Sequence, residues 1–322
     1  MLDLRTYFSK NEVSNLFSPP GELNPYQEPK KFIRHARAAS FKLPTKIKNE
    51  ILEFRSYGNQ PGFILLKGLP FETDLCETPI DNKEAAERGC YISEFCISMF
   101  GSLLGDMYAF AQESEGLLFN NIRPTFKNTS KQSSESSGVY LELHTEVAFH
   151  EFRPDFLILN CLRKDPERQA KTGVSSIRLA LPLLSKETKE CLFQPLYSFA
   201  YDLSFGNEHG KKNSIKRASV LQGPKDDPYL TYDSDLITPH GEKASLAIDE
   251  LEKALRSTMQ TFRLQEGELL LVDNRRTAHS RTSFKARFDG KDRWLQRSFV
   301  RQDFDSVRKR LPHQGYVIRD II

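Results

Sequence analysis

The segment 139–150 alternates between apolar and polar side chains, and this pattern constrains the fold more than any other part of the chain. Its odd positions are apolar except for Thr145, as at Leu143 and Val147, whereas its even positions are mostly polar or titratable. Such alternation predicts a β-strand with one face against a core. His144 and Glu146 are two residues apart, so both side chains would project from the polar face of that strand. The spacing therefore predicts that an imidazole and a carboxylate share one divalent cation.

A metal site of this kind needs a third ligand, and His279, in the segment Val272–Arg281, is the best candidate. Two imidazoles and one carboxylate on one side of a metal leave the opposite side open. This facial arrangement suits non-haem Fe(II), which must bind a cosubstrate and oxygen together. Because an isolated His-x-Glu tripeptide is common by chance, the alternative is a charged strand face in water.

Two arginines in another predicted strand indicate carboxylate ligands. Arg293 and Arg297 lie in the segment Gly290–Arg301 and share one strand face with Leu295 and Phe299. Guanidinium is a planar fork that binds carboxylates through two hydrogen bonds. Each arginine therefore predicts a small molecule that carries a carboxylate, with structural ion pairs as the alternative. By the same chemistry, Arg297 suits the carboxylate of a free α-amino acid.

Six segments taken together carry a resemblance to a known family: Gly62–Pro70, Leu141–His150, Arg178–Leu184, Tyr232–Leu236, Val272–Thr282 and Asp289–Arg297. Their order and spacing, over nearly the whole chain, resemble the clavaminate synthase-like branch of the Fe(II)- and 2-oxoglutarate-dependent oxygenases, which includes amino-acid β- and γ-hydroxylases. This branch has Glu as its iron carboxylate, which Glu146 matches. The resemblance implies Fe(II), 2-oxoglutarate and O2 as cofactor and cosubstrates. It also implies His144, Glu146 and His279 as metal ligands and catalytic centre.

The resemblance also assigns residues around the metal. Arg293 would bind the distal carboxylate of 2-oxoglutarate, and Thr172 would donate a hydroxyl hydrogen bond to the same cosubstrate. Gln112 and Glu113, expected on a strand, would hold the amino end of the substrate. Ser134 matches a substrate-contacting position, and Glu146 would lie beside the substrate as well as the metal.

Asp233 and Asp235 are predicted to contact the far end of the substrate. Two carboxylates at positions i and i+2 share one side of an extended segment, although a turn with two solvated aspartates is the alternative. In the resembled family this acid pair faces a guanidino group, which matches a carboxylate because both are planar forks; a lysine ammonium would also fit.

The predicted reaction is hydroxylation at C3 or C4 of a free basic L-amino acid, arginine ahead of lysine. It is coupled to conversion of 2-oxoglutarate to succinate and CO2. Alternatives are an oxygenase of asparagine, or of a modified or carrier-bound amino acid in secondary metabolism. A non-catalytic cupin-like protein that binds a small acid is a further alternative.

The order of short strands and amphipathic helices predicts one domain over residues 1–322, with helices expected near 43–57 and 243–262 and a strand near 294–301. Its fold is expected to be mainly β with flanking α-helices, around a double-stranded β-helix (jelly-roll, cupin-like) core. Several prolines within residues 1–40 predict an extended, partly helical N-terminal arm. The polar segment 127–138, directly before the metal strand, is either a disordered surface loop or a lid that orders over substrate.

The composition, 39% hydrophobic and 28% charged, is that of an ordinary soluble globular protein. A net charge of +3 over 322 residues gives no indication of a nucleic-acid partner. Five cysteines without a Cys-x-x-Cys pair predict reduced thiols and argue against a zinc or disulfide framework. The sequence has no apolar run of transmembrane length and no signal-peptide core, so we expect a cytoplasmic protein with a small-molecule partner and no membrane association.

Overall fold

The computed structural model describes residues 1–202, 205, 217–310 and 315–319. Its helices are α1 (Lys10–Leu16), α2 (Pro29–Ser40), α3 (Thr45–Tyr57), α4 (Asn82–Ala86), α5 (Ile92–Leu104), α6 (Ile177–Ala180), α7 (Lys186–Leu192), α8 (Glu242–Thr258) and α9 (Asp305–Arg310). Its strands up to residue 200 are β1 (Leu2–Asp3), β2 (Phe63–Lys67), β3 (Asp106–Phe110), β4 (Asn120–Ile122), β5 (Leu141–His144), β6 (Phe156–Arg163), β7 (Thr172–Ser176) and β8 (Tyr197–Phe199). The later strands are β9 (Leu221–Gln222), β10 (Tyr229–Leu230), β11 (Ile237–Pro239), β12 (Gln260–Phe262), β13 (Leu269–Asp273), β14 (Thr277–Arg281), β15 (Trp294–Arg301) and β16 (Val317–Ile318).

Two sheets pack against each other and form the predicted jelly-roll core. The larger sheet has the strand order β1-β2-β13-β6-β15-β3-β16, and β4 also pairs with β15. The smaller sheet has the order β12-β7-β14-β5, and two short ribbons, β8 with β11 and β9 with β10, complete the strands. Side chains from both sheets, such as Leu270 and Val174, lie in one buried cluster, which confirms a sheet-rich core with flanking helices.

Strand alternation divides the larger sheet between two cores. Leu157 of β6 faces the space between the sheets, whereas its neighbour Ile158 packs with the helices on the outer side. The same alternation in β15 places Leu295 and Phe299 between the sheets. Gln296, on the opposite face of β15, hydrogen-bonds Glu94 of α5. Arg297 on β15 and Arg293, directly before the strand, share the parity of Leu295 and Phe299, which directs both arginines into the barrel.

The N-terminal segment 1–40 was expected to be an extended, partly helical arm, and its helical part packs against the core. It contains α1 and α2, and Phe17 and Phe32 have no exposed surface. Pro29 stands at the first turn of α2, where its missing N–H costs no hydrogen bond. The ring of Phe32 meets Phe95 of α5 edge-on, with centroids 5.7 Å apart. Burial of these apolar side chains against α5 outweighs the extended preference of the prolines.

The long helix α8 ends earlier than the apolar spacing predicts. The expected helix covered residues 243–262, but the chain becomes extended at Met259, and Phe262 lies in β12. Pairing of β12 with β7 decides this boundary, because strand partners outweigh a continuing helical pattern. No helix in the described ranges is long and apolar enough to cross a bilayer.

Candidate active site

Two histidines lie opposite each other on neighbouring strands of the smaller sheet. His144 at the end of β5 pairs with His279 on β14, and their ring centroids are 4.1 Å apart. Glu146 completes the group, since one potential ligand atom from each of the three residues lies within 4.8 Å of the others. The structure thus brings together the three side chains that the sequence nominated as metal ligands.

The strand that carries this group is shorter than predicted. The expected strand over 139–150 ends at His144, and Glu146 lies in a turn whose next residue, Val147, has a φ of +52°. Positive φ is rare for a β-branched residue and indicates local strain. Asn274 holds this turn, because its Oδ1 accepts the N–H of Glu146 at 2.8 Å and its Nδ2 donates to the Glu146 carbonyl at 3.2 Å. Glu146 therefore reaches His144 through a clamped turn rather than a shared strand face.

The protonation states of the group fit a divalent cation. His144 Nδ1 is 2.8 Å from the carbonyl oxygen of Glu142, which leaves Nε2 for a metal. Burial, and then His279, lower the pKa of His144 to about 4. Burial opposes ionisation of Glu146, but Arg297 and the histidines outweigh it and hold its pKa at about 2. A neutral imidazole and an ionised carboxylate are the forms that bind metals.

One atom of the group also lacks a partner. Oε2 of Glu146 is buried without a hydrogen-bond donor of suitable geometry, 3.3 Å from Nε2 of His279. A buried carboxylate oxygen without a partner is costly, and a cation at this position would satisfy it. The residues present therefore fit Fe(II) without rearrangement of the fold.

Arg297 is held by protein carboxylates, so that structural ion pairs, the alternative to a substrate carboxylate, are present at this arginine. Its Nη1 donates to Glu146 at 2.8 Å and its Nη2 to Glu113 at 2.7 Å, and all three side chains are buried. Its Nε is buried without a partner. Burial outweighs Arg297 and raises the pKa of Glu113 to about 8. A substrate carboxylate would have to share this guanidinium with Glu146 or displace Glu113.

Gln112 and Glu113 lie in a turn after β3 rather than on a strand, because β3 ends at Phe110. Gln112 donates to the carbonyl oxygen of Arg319 at 2.7 Å, whereas its own Oε1 is buried without a partner. Both residues still line the pocket next to the metal group. Gln112 and Glu113 therefore reach the pocket from a turn, although they were expected to reach it from a strand.

Arg293 and Thr172 lie together on the inner side of the barrel. Nη2 of Arg293 donates to Oγ1 of Thr172 at 3.3 Å, and the two side chains are almost fully buried. Burial lowers the pKa of Arg293. No carboxylate lies within ion-pair distance of Arg293 in the described part of the chain. A buried guanidinium without a counter-ion favours an anionic ligand, as the predicted cosubstrate anchor requires.

Asp233 and Asp235 lie in a turn, not in the extended segment that was predicted. Oδ1 of Asp233 accepts the N–H groups of Asp235 and Leu236, each at 3.0 Å, and Asp233 lines the pocket beside the metal group. A β-bridge to His144 places Asp233 beside the metal group. Burial raises the pKa of Asp233 to about 8, and burial followed by Glu142 raises the pKa of Asp235.

A pocket of about 740 Å³ opens beside the metal group. Seven carboxylates line it: Glu113, Glu135, Glu142, Glu146, Asp202, Asp233 and Asp235. Three cations also line it: Lys127, Lys131 and Arg297. Ser134, the predicted loop contact, lines it as well. The pocket is therefore rich in acid, and Arg293 is not among the residues that line it.

The polar segment 127–138 forms one wall of this pocket and is held by hydrogen bonds. Gln132 donates to the carbonyl oxygen of Tyr140 at 2.9 Å and accepts the N–H of Glu142 at 3.2 Å. Asn128 donates to Glu135 at 2.8 Å. These contacts agree with a lid rather than with the disordered loop that was the alternative, and the lid remains our proposal.

Two residues near the metal group were not predicted as site residues from the sequence. Asn274 clamps the Glu146 turn, and Arg281 is buried two residues after His279 on β14. Burial, and then Arg293, lower the pKa of Arg281 to about 9. Arg281 could have been recognised, because it shares a strand face with His279; nothing local marks Asn274, whose partner is 128 residues away.

Comparison with known proteins identifies the family. A family model described as "Taurine catabolism dioxygenase TauD, TfdA family" matches residues 27–299. The chain is 37% identical over 291 residues to L-asparagine oxygenase of Streptomyces coelicolor (89% of this chain, 85% of the relative). It is 33% identical over 273 residues to clavaminate synthase 2 of Streptomyces clavuligerus (84% of each). It is also 33% identical over 296 residues to L-lysine 3-hydroxylase of Catenulispora acidiphila (89% and 80%).

Solved structures agree with these relatives. An asparagine oxygenase complex with Fe(II), 2S,3S-3-hydroxyasparagine and succinate superposes with a TM-score of 0.87 at 35% identity, over 97% of this chain and 96% of the other. A non-heme iron oxygenase with Fe, succinate and (3S)-hydroxy-L-Arg gives a TM-score of 0.81 at 26% identity, over 96% of each chain. The same oxygenase with Fe and alpha-ketoglutaric acid gives 0.80 at 28% identity, over 93% and 94%.

These matches exclude a non-catalytic cupin-like protein and confirm the predicted cofactors. The chain belongs to the TauD, TfdA family of dioxygenases, and within it to the clavaminate synthase-like Fe(II)- and 2-oxoglutarate-dependent amino-acid oxygenases.

Proposed function

We propose that this dioxygenase hydroxylates C3 or C4 of a free basic L-amino acid, with arginine preferred over lysine. The observation that carries the proposal is the acid-rich pocket wall, above all Asp233, which lines the pocket from a half-buried position. An acid whose pKa is raised to about 8 by burial gains most from a cation placed beside it. A guanidino group supplies that cation in a planar form that matches a carboxylate.

The metal end of the site would be built by the three nominated ligands. His144, Glu146 and His279 would hold Fe(II), and Arg293 with Thr172 would bind the distal carboxylate of 2-oxoglutarate. Bound together, iron and cosubstrate supply the oxidation of the substrate C–H bond, with succinate and CO2 as co-products. The contribution of the chain is to orient the two substrates and to exclude water from the barrel interior.

The amino-acid head would be bound at Arg297 and Glu113. The substrate carboxylate would accept a hydrogen bond from the unpaired Nε of Arg297 and would share the guanidinium with Glu113, which now accepts from Nη2. Glu113 then becomes free to ionise and to accept the substrate ammonium, while the unpaired Oε1 of Gln112 offers a second acceptor. Ser134 on the loop completes the set. A carrier-bound substrate lacks the free carboxylate that this arrangement uses.

Asparagine is the second candidate, because an asparagine oxygenase resembles this chain over 97% of its length. Asp233 would be protonated at neutral pH in the absence of a cation, given its pKa of about 8. A protonated carboxyl can donate to the side-chain carbonyl of asparagine and accept from its amide N–H. The alternatives thus differ in whether Asp233 acts as an anion or as a neutral acid.

The test is a screen of the twenty amino acids for stimulated succinate formation under a fixed supply of Fe(II) and 2-oxoglutarate, with products identified by mass. We expect arginine and then lysine to stimulate turnover with an added oxygen atom in the product. The variant Asp233→Asn should weaken that stimulation, whereas Asp226→Asn, on an exposed turn, should not. A neutral or acidic amino acid as the best substrate, with arginine and lysine inert, would refute the assignment of the aspartates.

A further inference from the structure

A second buried guanidinium lies beside the proposed cosubstrate anchor. Arg281 on β14 is the Cα partner of Thr172 on β7, and it is only 5% exposed. Side chains of directly opposed residues lie on the same face of a sheet. Thr172 in turn accepts the hydrogen bond from Arg293, and the ring of Phe284 lies under both guanidinium groups, at 5.2 Å and 6.0 Å. Arg281 and Arg293 therefore border one buried space.

That space contains two cations and no matching anion. Neither Arg281 nor Arg293 has a carboxylate within 4 Å among the residues that the structure describes. Asp165 is the acid that acts electrostatically on Arg293, but its Oδ2 already accepts the N–H groups of Gln169 and Ala170. Buried charges without a counter-ion are strongly unfavourable, so the arrangement is completed only when an anion arrives.

The hydrogen bonds of Arg281 go to the loop that forms the pocket wall. Its Nη1 donates to the carbonyl oxygen of Ser136, and its Nη2 donates to Oγ of Ser136 at 2.7 Å and to the carbonyl oxygen of Val139 at 3.3 Å. Ser136 lies within the loop 127–138, and Val139 follows it directly. Its Nε is buried without a partner. One side chain thus joins the end of the loop to the space next to Arg293.

We infer that Arg281 is a positioning residue that couples 2-oxoglutarate binding to closure of the loop 127–138. The inference rests on the proposed function, in which Arg293 and Thr172 hold the distal carboxylate. Without that anion, repulsion between the two guanidiniums favours movement of Arg281 towards solvent, which releases Ser136. With the anion bound, Arg281 stays buried and keeps its bonds to the loop. Coupling of this kind is reciprocal, so a closed loop also strengthens cosubstrate binding.

The experiment uses the full chain with Mn(II) in place of iron and without oxygen, so that no turnover occurs. Calorimetry measures 2-oxoglutarate binding, and mass spectrometry follows tryptic cleavage after Lys127 and Lys131, which are both exposed in the loop. In the wild type, saturating 2-oxoglutarate should slow this cleavage at least fivefold. In Arg281→Met, binding should weaken at least tenfold, about 1.4 kcal/mol. Saturating 2-oxoglutarate should then no longer slow the cleavage.

Arg123→Met is the matched control, because Arg123 is another buried arginine at the opposite end of the loop. It donates to the carbonyl oxygens of Asn121 and Ile80 and lies 3.7 Å from Glu135 of the loop. This variant should be cleaved faster with and without 2-oxoglutarate, with unchanged affinity and with the ligand-dependent slowing preserved. A purely structural role for Arg281 predicts the same result for both variants.

Arg281→Lys keeps the positive charge but loses the planar guanidinium. It is the variant to use if Arg281→Met does not fold. It should bind 2-oxoglutarate with nearly normal affinity but lose the ligand-dependent slowing of cleavage. Normal slowing in either Arg281 variant would overturn the coupling. Arg293→Met distinguishes failure of the proposed cosubstrate site from failure of the coupling. If this variant binds 2-oxoglutarate as tightly as the wild type, the proposed cosubstrate site is wrong. If it loses binding while Arg281 variants keep the slowing, only the coupling is wrong.

Discussion

Replacement of Arg297 by methionine in the metal-free protein should remove the cation that keeps Glu146 ionised in a buried position. Arg297 donates to Glu146 at 2.8 Å and to Glu113 at 2.7 Å, and none of the three side chains is more than 8% exposed. Because solvent does not screen this group, its electrostatic energy is retained in full.

The expected cost follows from the pKa of Glu146. A drop from 4.5 to about 2 corresponds to about 3 kcal/mol, at 1.36 kcal/mol for each pKa unit. A depressed acid contributes stability that is present above its unfolded pKa and lost as the pH falls through its folded pKa. Glu113 adds little at pH 7, since its folded pKa of about 8 already leaves it mostly protonated. We therefore expect Arg297→Met to lose about 3 kcal/mol at pH 7.

The assay is urea unfolding with a chelator present, at pH 7 and at pH 3.5. The wild type and Arg297→Met should differ by about 3 kcal/mol at pH 7 and by about 2 kcal/mol at pH 3.5, because the contribution of Glu146 is lost progressively between pH 4.5 and 2. In a double-mutant cycle with Glu146→Gln, most of the cost should appear as coupling between the two side chains. Glu113→Gln should couple much less strongly at pH 7.

Arg256→Met is the matched control, because Arg256 also bridges two carboxylates, Glu142 and Glu252, but is 38% exposed. Exposed pairs contribute about 0–1 kcal/mol. If Arg297→Met costs no more than Arg256→Met, or if its cost does not decrease at low pH, the reasoning from burial is refuted.

Three further outcomes test the remaining assignments. His144→Ala, Glu146→Ala and His279→Ala should each abolish succinate formation while the circular dichroism spectrum stays unchanged; near-normal turnover in any of them would remove that residue from the metal site. Arg293→Ala should raise the KM for 2-oxoglutarate about 30-fold, from the loss of about 2 kcal/mol of charged hydrogen bonding, with little change in the KM for the amino acid. Arginine binding at pH 7 should release close to two protons, because a guanidinium lowers the pKa of Asp233 from about 8 and Glu113, whose pKa is also about 8, ionises beside the substrate ammonium; calorimetry in two buffers measures the release, which Asp233→Asn should reduce by close to one proton.

The local sequence pattern was sufficient to predict an element wherever the period of its apolar side chains matches the face that the structure buries. The strand expected at 294–301 is observed as β15 over those residues, and the helix expected at 43–57 is observed over Thr45–Tyr57. The alternation over 293–299 also predicts that Arg293 and Arg297 point into the barrel. The side chains of the metal group were nominated from their spacing and chemistry, and the structure does bring them together.

Other features depend on contacts that the local sequence does not report. The helices within residues 1–40 pack against the core because α5 offers them an apolar surface, and Met259 leaves the helix because β7 offers β12 a strand partner. The turn at Asp233 forms around hydrogen bonds to its own backbone, in a place fixed by the bridge to His144.

The amino-acid sequence by itself determined the chemistry that is available here: two imidazoles, one carboxylate, two inward arginines and an acid pair. Only the tertiary structure decided how these groups are charged and held. Glu146 turns because Asn274, 128 residues away, accepts its N–H, and Arg297 is bound by Glu113, 184 residues away. Periodicity predicts which face of an element is buried. The tertiary fold decides which counter-ion lies beside a buried charge, and because the group is desolvated, that neighbour determines its protonation state.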